Sequence, residues 1–487
     1  MMSSIKESPL FYIANPRSIA FFGASNNFTT MGTMQLASMI KMGYEGAVYP
    51  VHLKEKEVQG YKAYNNVMDL PEIPDLAIIV LPVRVVCQVM EECGQKGIKQ
   101  AIVISGGFKE TGEEGAKLEE ELKEIAEKYR IRFLGPNCIG VANPHHRLNP
   151  TPFPYEGPPG YIGLASQSGS YVTQMFDYLK PLGLGFSAAF SVGNEASIDL
   201  VDCLEYFGAC EKTKVIALYI EGIRRGKEFI ETARSIVPHK PIVAYYIGGT
   251  ETGKRAGTSH TGALAGPDDL YSGMFRQSGV LRCGSITELF DFCWTLGSLP
   301  APKGRGVVVQ TNSGGPGANA ADALGRAGLT LADLSEETDK KLRPFFPPTA
   351  SISNPVDMTF SRNSMDLFSA IPQILIEDKN TGSLLVYFIS QGKMMSRSME
   401  SMGLSPEQIE KQALSSIQSQ ADGLIRLRNK YNKPVICFTF GNLSEPLPQA
   451  LIQGGVPVFP GPERAVTALQ AMLKYGEFKG RITAAQE

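Results

Sequence analysis

Histidine is scarce in this chain: five among 487 residues, at positions 52, 145, 146, 239 and 260. His145 and His146 fall in a proline-rich run and His239 precedes Pro241, so all three are expected to meet solvent. His260 stands apart. It lies in Gly253-Lys254-Arg255-Ala256-Gly257-Thr258-Ser259-His260-Thr261-Gly262-Ala263-Leu264-Ala265-Gly266, a small-residue loop with two cations upstream and no bulky packing partner. An imidazole can attack phosphorus and carry the phosphoryl group. Glycines on both sides would let the loop move between two sites.

A phosphorylated imidazole needs donors for its anion, and two other loops can supply them. Ser166-Gln167-Ser168-Gly169-Ser170-Tyr171 follows the apolar run YIGLA and opens the helical run VTQMFDYL. Asn312-Ser313-Gly314-Gly315-Pro316-Gly317 follows VVVQT and opens ANAADALGRAG. Each reads as strand, small-residue turn, helix N-terminus, where free N–H groups and the positive end of the helix dipole favour an anion. The imidazole also needs its tautomer held, which a carboxylate accepting the other ring N–H does. Glu221, just past the apolar run Val215–Ile220, is the first candidate; Glu195 and Asp199 in VGNEASID are weaker ones.

The elements that must position these groups repeat one grammar: a short apolar run, a Gly/Ser turn, a helical pattern. Strands are expected at 18–22, 76–80 and 100–104, then at 161–165, 215–220 and 241–246, then at 306–311, 383–389 and 434–440, with a helix over 113–129. Continuous apolar strands alternating with helices indicate parallel sheets covered on both faces. The fold class is therefore α/β, with three doubly wound parallel-sheet domains, each binding ligands at the carboxyl ends of its strands. Two breaks, the six-proline run 143–160 and LPAPKG at 299–304, divide the chain into a first domain at 1–143, a linker at 144–160, a second domain at 161–298 and a third at 305–487.

The first domain opens like a nucleotide fold, with Phe21-Phe22-Gly23-Ala24-Ser25 ending the first strand, but GxGxxG is absent. An NAD site needs an acid at the end of the second strand. Here the run is VYPVHLK, which ends in the basic Lys54 and suits a phosphate. Leu81-Pro82-Val83 and Ser105-Gly106-Gly107-Phe108 end the next two strands on the same edge.

Composition removes other classes. With 47 Lys+Arg against 49 Asp+Glu, the net charge of −2 excludes a protein devoted to non-specific nucleic-acid or membrane-surface binding. The eight cysteines form no CxxC pair and no zinc pattern, so they read as buried thiols in a reducing compartment, and no metal site is expected. No apolar run nears the ~20 residues of a membrane span. A cytoplasmic protein is the expectation.

Taken in order, FFGAS, SGGFKETGEEG (105–115), GPNCIG (135–140), SQSGS (166–170), SVGNEASID (191–199), YIEGI (219–223), SHTGALAG (259–266), NSGGPG (312–317) and SNPVDM (353–358) resemble the nucleoside-diphosphate-forming acyl-CoA synthetases. That group includes succinyl-CoA synthetase, and within it the motifs most resemble the α subunits of ADP-forming acetyl-CoA synthetases. The resemblance implies a Rossmann-like CoA-binding domain followed by two flavodoxin-like domains. It implies that acyl-CoA and phosphate give an acyl phosphate, that His260 takes the phosphoryl group, and that ADP receives it, all reversibly. Glu221 would orient His260. Ser168, Gly169 and Ser170 would open one phosphate-facing helix, and Gly314, Gly315 and Gly317 the other. Gly23, Ser25, Lys54, Pro82, Ser105, Gly106 and Asn137 fall where the family binds CoA. Two departures bear on this: Ile247 stands where relatives often carry Lys, and VHLK replaces VNPK. The family's nucleotide module, an ATP-grasp fold, has no segment left here and no Walker A motif replaces it. ATP or ADP with Mg²⁺ is thus expected on a separate ATP-grasp β subunit, in an α2β2 hetero-oligomer. The other function considered is a non-catalytic CoA- or nucleotide-sensing module. The acyl group is left open.

Overall fold

The computed structural model describes residues 4–253, 266–348, 350, 352–359, 363–389, 400–401 and 404–485. His260 lies outside the described residues, as does the whole of 254–265.

Three parallel sheets carry the chain. In the first, Ser18–Phe22 lies between Ala47–Val51 and Leu76–Ile79, and Gln100–Val103 and Arg132–Leu134 extend the row, all parallel. The run SIAFF is buried at every position, as a strand covered on both faces requires. The helices Val83–Lys96 and Glu113–Tyr129 cover it with apolar stripes, Val86, Met90 and Cys93 from one and Leu122 and Ala126 from the other. The first of these ends on Gly97, whose left-handed backbone (φ +100°) closes the last turn.

The second sheet runs Leu281–Cys283, Ile242–Tyr246, Val215–Ile220, Ile162–Ser166, Phe186–Ser191, Val141–Ala142; only the last strand is antiparallel. The third runs Thr330–Leu331, Gly306–Thr311, Ser383–Tyr387, Val435–Thr439, Val458–Pro460, with Val356–Asp357 as a further parallel partner of Gly306–Thr311. Sequence expectation and strand limits differ by a residue or two. Ser383–Tyr387 and Val435–Thr439 stop short of Ile389 and Phe440, which emerge 46% and 60% exposed at the carboxyl edge.

The proline-rich run after residue 143 is fastened down. Asn143 Nδ2 donates to Ala14 O at 2.8 Å, and Val141–Ala142 pairs with Phe190 and Ala189. His146, expected in solvent, is half-buried, with Nε2 2.7 Å from Pro16 O; His145 is exposed but reaches Gly160 O at 2.8 Å. The eight cysteines are free and buried. By its contacts the chain forms two compact units: Met1–Lys180 with Leu184–Leu289 and Phe478–Glu487, and Pro181–Gly183 with Phe290–Glu477. The first two sheets belong to one unit and the third to the other. Among the described residues no helix is long and apolar enough to cross a membrane.

Candidate functional site

Parallel strands put every following loop on one edge, so the first sheet gathers Gly23, Ser25, Lys54, Pro82, Ser105, Gly106 and Asn137 along its carboxyl ends. Gly23 has φ +97°, and a Cβ there would stand 2.0 Å from Val80 O, so the turn accepts only glycine. Ser25 N donates to Thr33 Oγ1 at 2.9 Å, which shapes the loop. Lys54 is exposed and makes no ion pair among the described residues. Pro82 caps the helix Val83–Lys96, whose first N–H groups lack a side-chain cap. Ser105 is a staple: its Oγ donates to Leu81 O at 2.6 Å and accepts from Leu81 N at 3.1 Å. Asn137 takes a left-handed backbone (φ +58°), and its Oδ1 would stand 3.2 Å from a Cβ on Gly106.

The second sheet does the same with Ser168, Gly169, Ser170 and Glu221. Ser166, last in its strand, holds the next turn with one hydroxyl: Oγ donates to Ser168 O at 2.6 Å and accepts from Ser168 N at 3.2 Å. Ser168 is the N-cap of helix Gly169–Leu179 but makes no capping bond, so the helix presents its first amides unbonded by a side chain. Tyr219 pairs with Ser166 across the sheet, which brings Glu221, two residues on, to that helix end. The described flanks of the His260 segment meet at the same edge, where Tyr246 OH donates to Gly266 O at 2.9 Å.

The third sheet builds a second such helix by the same local device. Thr311 Oγ1 donates to Ser313 O at 2.6 Å and accepts from Ser313 N at 3.1 Å. Helix Gly314–Arg326 then begins without a capping bond from Ser313. Gly314 and Gly315 are exposed, while Gly317 is buried against Thr311. Asp357 stands beside this end, with Oδ2 3.4 Å from where a Gly314 Cβ would be. Its Oδ1 accepts from Thr359 N and Oγ1 at 2.9 and 2.6 Å.

Of the two weaker carboxylates, Asp199 is structural. It caps helix Leu200–Ala209 in a capping box with Asp202 and pairs with Arg225. Glu195 is buried, 6% exposed. Its carboxyl is pushed up to about 7 by burial, although the Gln167 amide and the Arg224 guanidinium pull the other way. Sequence reasoning passed over Gln167, Asn194, Arg224 and Lys109, which meet around Glu195. Arg224 donates to Glu195 O and Asn194 O at 2.7 Å each, and Lys109 Nζ donates to Asn194 O. Asn194 Nδ2 donates to Glu110 and Glu119 at 2.7 and 2.8 Å. Three of these residues do lie inside quoted motifs; a polar side chain in a loop carries no sequence mark of burial.

Comparison with known proteins follows these sheets. A CoA binding domain family matches residues 17–144, a succinyl-CoA ligase-like flavodoxin domain family residues 159–296, and a ligase-CoA domain family residues 307–420. The α subunit of acetate–CoA ligase [ADP-forming] II from Pyrococcus furiosus is 39% identical over 474 residues, 97% of this chain and 99% of that one. The chain belongs to the ADP-forming acyl-CoA synthetase family. A 4-hydroxybutyrate–CoA ligase [ADP-forming] from Nitrosopumilus maritimus is 33% identical over 97% of this chain, and 65% of its own length is matched. An acetyl-coenzyme A synthetase chain from Ca. Korarchaeum cryptofilum, solved with phosphate and ADP, superposes with a TM-score of 0.87 at 32% identity, covering 98% and 99% of the two chains.

Two observations suit the family's ligands. The tight Gly23 turn lets backbone approach a ligand closely, and Lys54 offers an exposed cation, which fits a CoA phosphate. Among the described residues no group of three His, Cys, Asp or Glu could hold a metal ion.

Proposed function

We propose that this chain is the α subunit of an ADP-forming acyl-CoA synthetase that interconverts acyl-CoA, phosphate and ADP with carboxylic acid, CoA and ATP. Phosphate oxygen attacks the thioester carbonyl and CoA thiolate leaves, giving an acyl phosphate. The His260 imidazole then attacks phosphorus, the bond from phosphorus to the acyl oxygen breaks, and the carboxylate departs. ADP finally takes the phosphoryl group from the imidazole. Glu221 accepts the other ring N–H and holds the tautomer. Ser168, Gly169 and Ser170 offer the phosphoryl group the open end of helix Gly169–Leu179, and Gly314, Gly315 and Gly317 open a helix of the same kind for phosphate.

One observation carries this reading. The uncapped amides of helix Gly169–Leu179 open beside Glu221, on the edge where the described flanks of the segment that holds His260 meet. CoA sits on the carboxyl edge of the first sheet, against Gly23, Ser25, Lys54, Pro82, Ser105, Gly106 and Asn137. ADP or ATP with Mg²⁺ binds an ATP-grasp β subunit in an α2β2 assembly. The Pyrococcus furiosus relative, a subunit alpha matched over 99% of its own length, supports a partner subunit.

The test is labelling with acetyl phosphate carrying ³²P. The full chain is expected to acquire an acid-labile, base-stable phosphoryl group that His260→Ala lacks. Label that persists in His260→Ala, or no label with any acyl phosphate in the presence of the partner, refutes the relay. ATP synthesis by this chain alone refutes the separate nucleotide subunit.

A further inference from the structure

The loop that opens the phosphate-facing helix contains one side chain that bonds away from the helix. Gln167 turns back toward the strand Val215–Ile220. Its Oε1 accepts from Glu221 N at 2.5 Å and from Gly222 N at 3.0 Å, and its Nε2 donates to Gly222 O at 2.7 Å. The second Nε2 proton goes to Glu195 Oε2, also at 2.7 Å. Both protons and both lone pairs of the amide are thereby used, which leaves the side chain one orientation. The backbone of the same residue is held as well, Gln167 N donating to Tyr219 O at 3.2 Å.

Strand pairing ends at Tyr219 and Ser166, so among the described residues the turn after Ile220 has no backbone partner on this side of the sheet. Gln167 stands in for the missing rung. Three of its four bonds fall on the backbone of Glu221 and Gly222, and the fourth anchors it to a buried carboxylate that is itself fixed by Leu200 N at 3.0 Å. Arg224 ties the far side of the turn to the same loop.

We propose that Gln167 is a positioning residue for Glu221: its amide fixes the turn from which the Glu221 carboxylate reaches the phosphoryl-accepting imidazole, with Glu195 as its anchor. This rests on the assignment of Glu221 above. In the phosphoryl transfer itself Gln167 exchanges no proton and touches no substrate. It sets where the Glu221 backbone stands, and hence whether the imidazole nitrogen is aimed at phosphorus. Loss of a supporting partner of this kind costs about 10- to 100-fold in rate.

The experiment measures the rate of phosphorylation of the full chain by labelled acetyl phosphate in four proteins: wild type, Gln167→Met, Glu221→Gln and the double variant. Methionine keeps the length of the side chain and removes all four bonds. The expected result is a slower maximal rate in Gln167→Met, about 10- to 100-fold, with unchanged CoA affinity. The double variant should be no slower than Glu221→Gln alone, because a misplaced turn has nothing further to lose once the carboxylate is gone. Multiplying losses in the double variant would show that Gln167 acts independently of Glu221 and overturn the proposal. So would a wild-type rate in Gln167→Met when Glu221→Gln is slow. A wild-type rate in Glu221→Gln removes the earlier assignment, and the positioning role with it. If Gln167→Met does not fold, Glu195→Ala keeps three bonds to the turn. Its loss should be smaller than that of Glu221→Gln and again vanish in the Glu221→Gln background; a loss that persists there overturns the proposal.

Discussion

Glu195→Gln should change the pH dependence of stability in a direction set by burial. The Glu195 carboxyl is raised from the ordinary 4.5 to about 7, burial being the largest cause. Below pH 4.5 it is protonated in both folded and unfolded chains, and its ionisation costs nothing. Between 4.5 and 7 the folded chain keeps a proton that the unfolded chain has released, so stability falls as pH rises. Above 7 both states are ionised and the full cost remains. The shift of 7 − 4.5 units, at about 1.36 kcal/mol per unit, is about 3 kcal/mol. From pH 5 to pH 8 the wild type should therefore lose about 2–3 kcal/mol that the uncharged variant keeps. Glutamine brings a separate, constant penalty. Gln167 Nε2 and Leu200 N both donate to the carboxylate, so one of them must face the new amide NH₂, at about 1–2 kcal/mol. The assay is urea unfolding of both proteins at pH 5, 6, 7 and 8, read as the difference in unfolding free energy. That difference should move toward the variant with rising pH. A difference that is flat across the range, or that moves the other way, would refute the argument that burial dominates at Glu195.

Three further outcomes follow from named contacts. Gly23→Ala forces a Cβ against Val80 O in a left-handed backbone, so it should lower stability by at least about 1–3 kcal/mol and weaken CoA binding, measured by thermal melting and titration calorimetry. Arg464→Met takes a bidentate partner, at 2.8 and 2.7 Å, from Asp291, which is 3% exposed; because Arg464 keeps a third of its surface, the loss should sit near the low end, about 3 kcal/mol, in thermal unfolding. Lys54→Ala should weaken CoA binding about 3- to 10-fold at low salt and less at 0.5 M, since an exposed cation acts through a screened field; an effect that does not vary with salt would remove Lys54 from the phosphate contacts.

Much of the architecture was legible because fully buried parallel strands leave an unmistakable trace. SIAFF, VIALYI and GVVVQT have no polar alternation, and each is a strand at the expected limits, Ser18–Phe22, Val215–Ile220 and Gly306–Thr311. Strand ends were read less well. The apolar runs continue through Ile389 and Phe440, but pairing stops earlier, since hydrophobicity does not report where a backbone ladder ends. His146 shows the converse: a residue in a proline-rich run reads as solvated until the fold lays Pro16 against it.

Residue order alone carries the α/β class, the parallel order of strand and helix, and the row of small residues at each strand's carboxyl end. All of these are local: each depends on side-chain size, polarity and spacing over a few residues. Which polar groups are buried, and whom they bond, depends on the folded chain. Glu195, one of the two weaker carboxylate candidates in the sequence, is enclosed by Gln167 and Arg224, while Ser105 spends its hydroxyl on Leu81. Asn194 reaches two glutamates 84 and 75 residues away. Ionisation and hydrogen-bond satisfaction depend on what lies within a few ångströms in space, and residues that distant in the chain meet only when the sheets have formed.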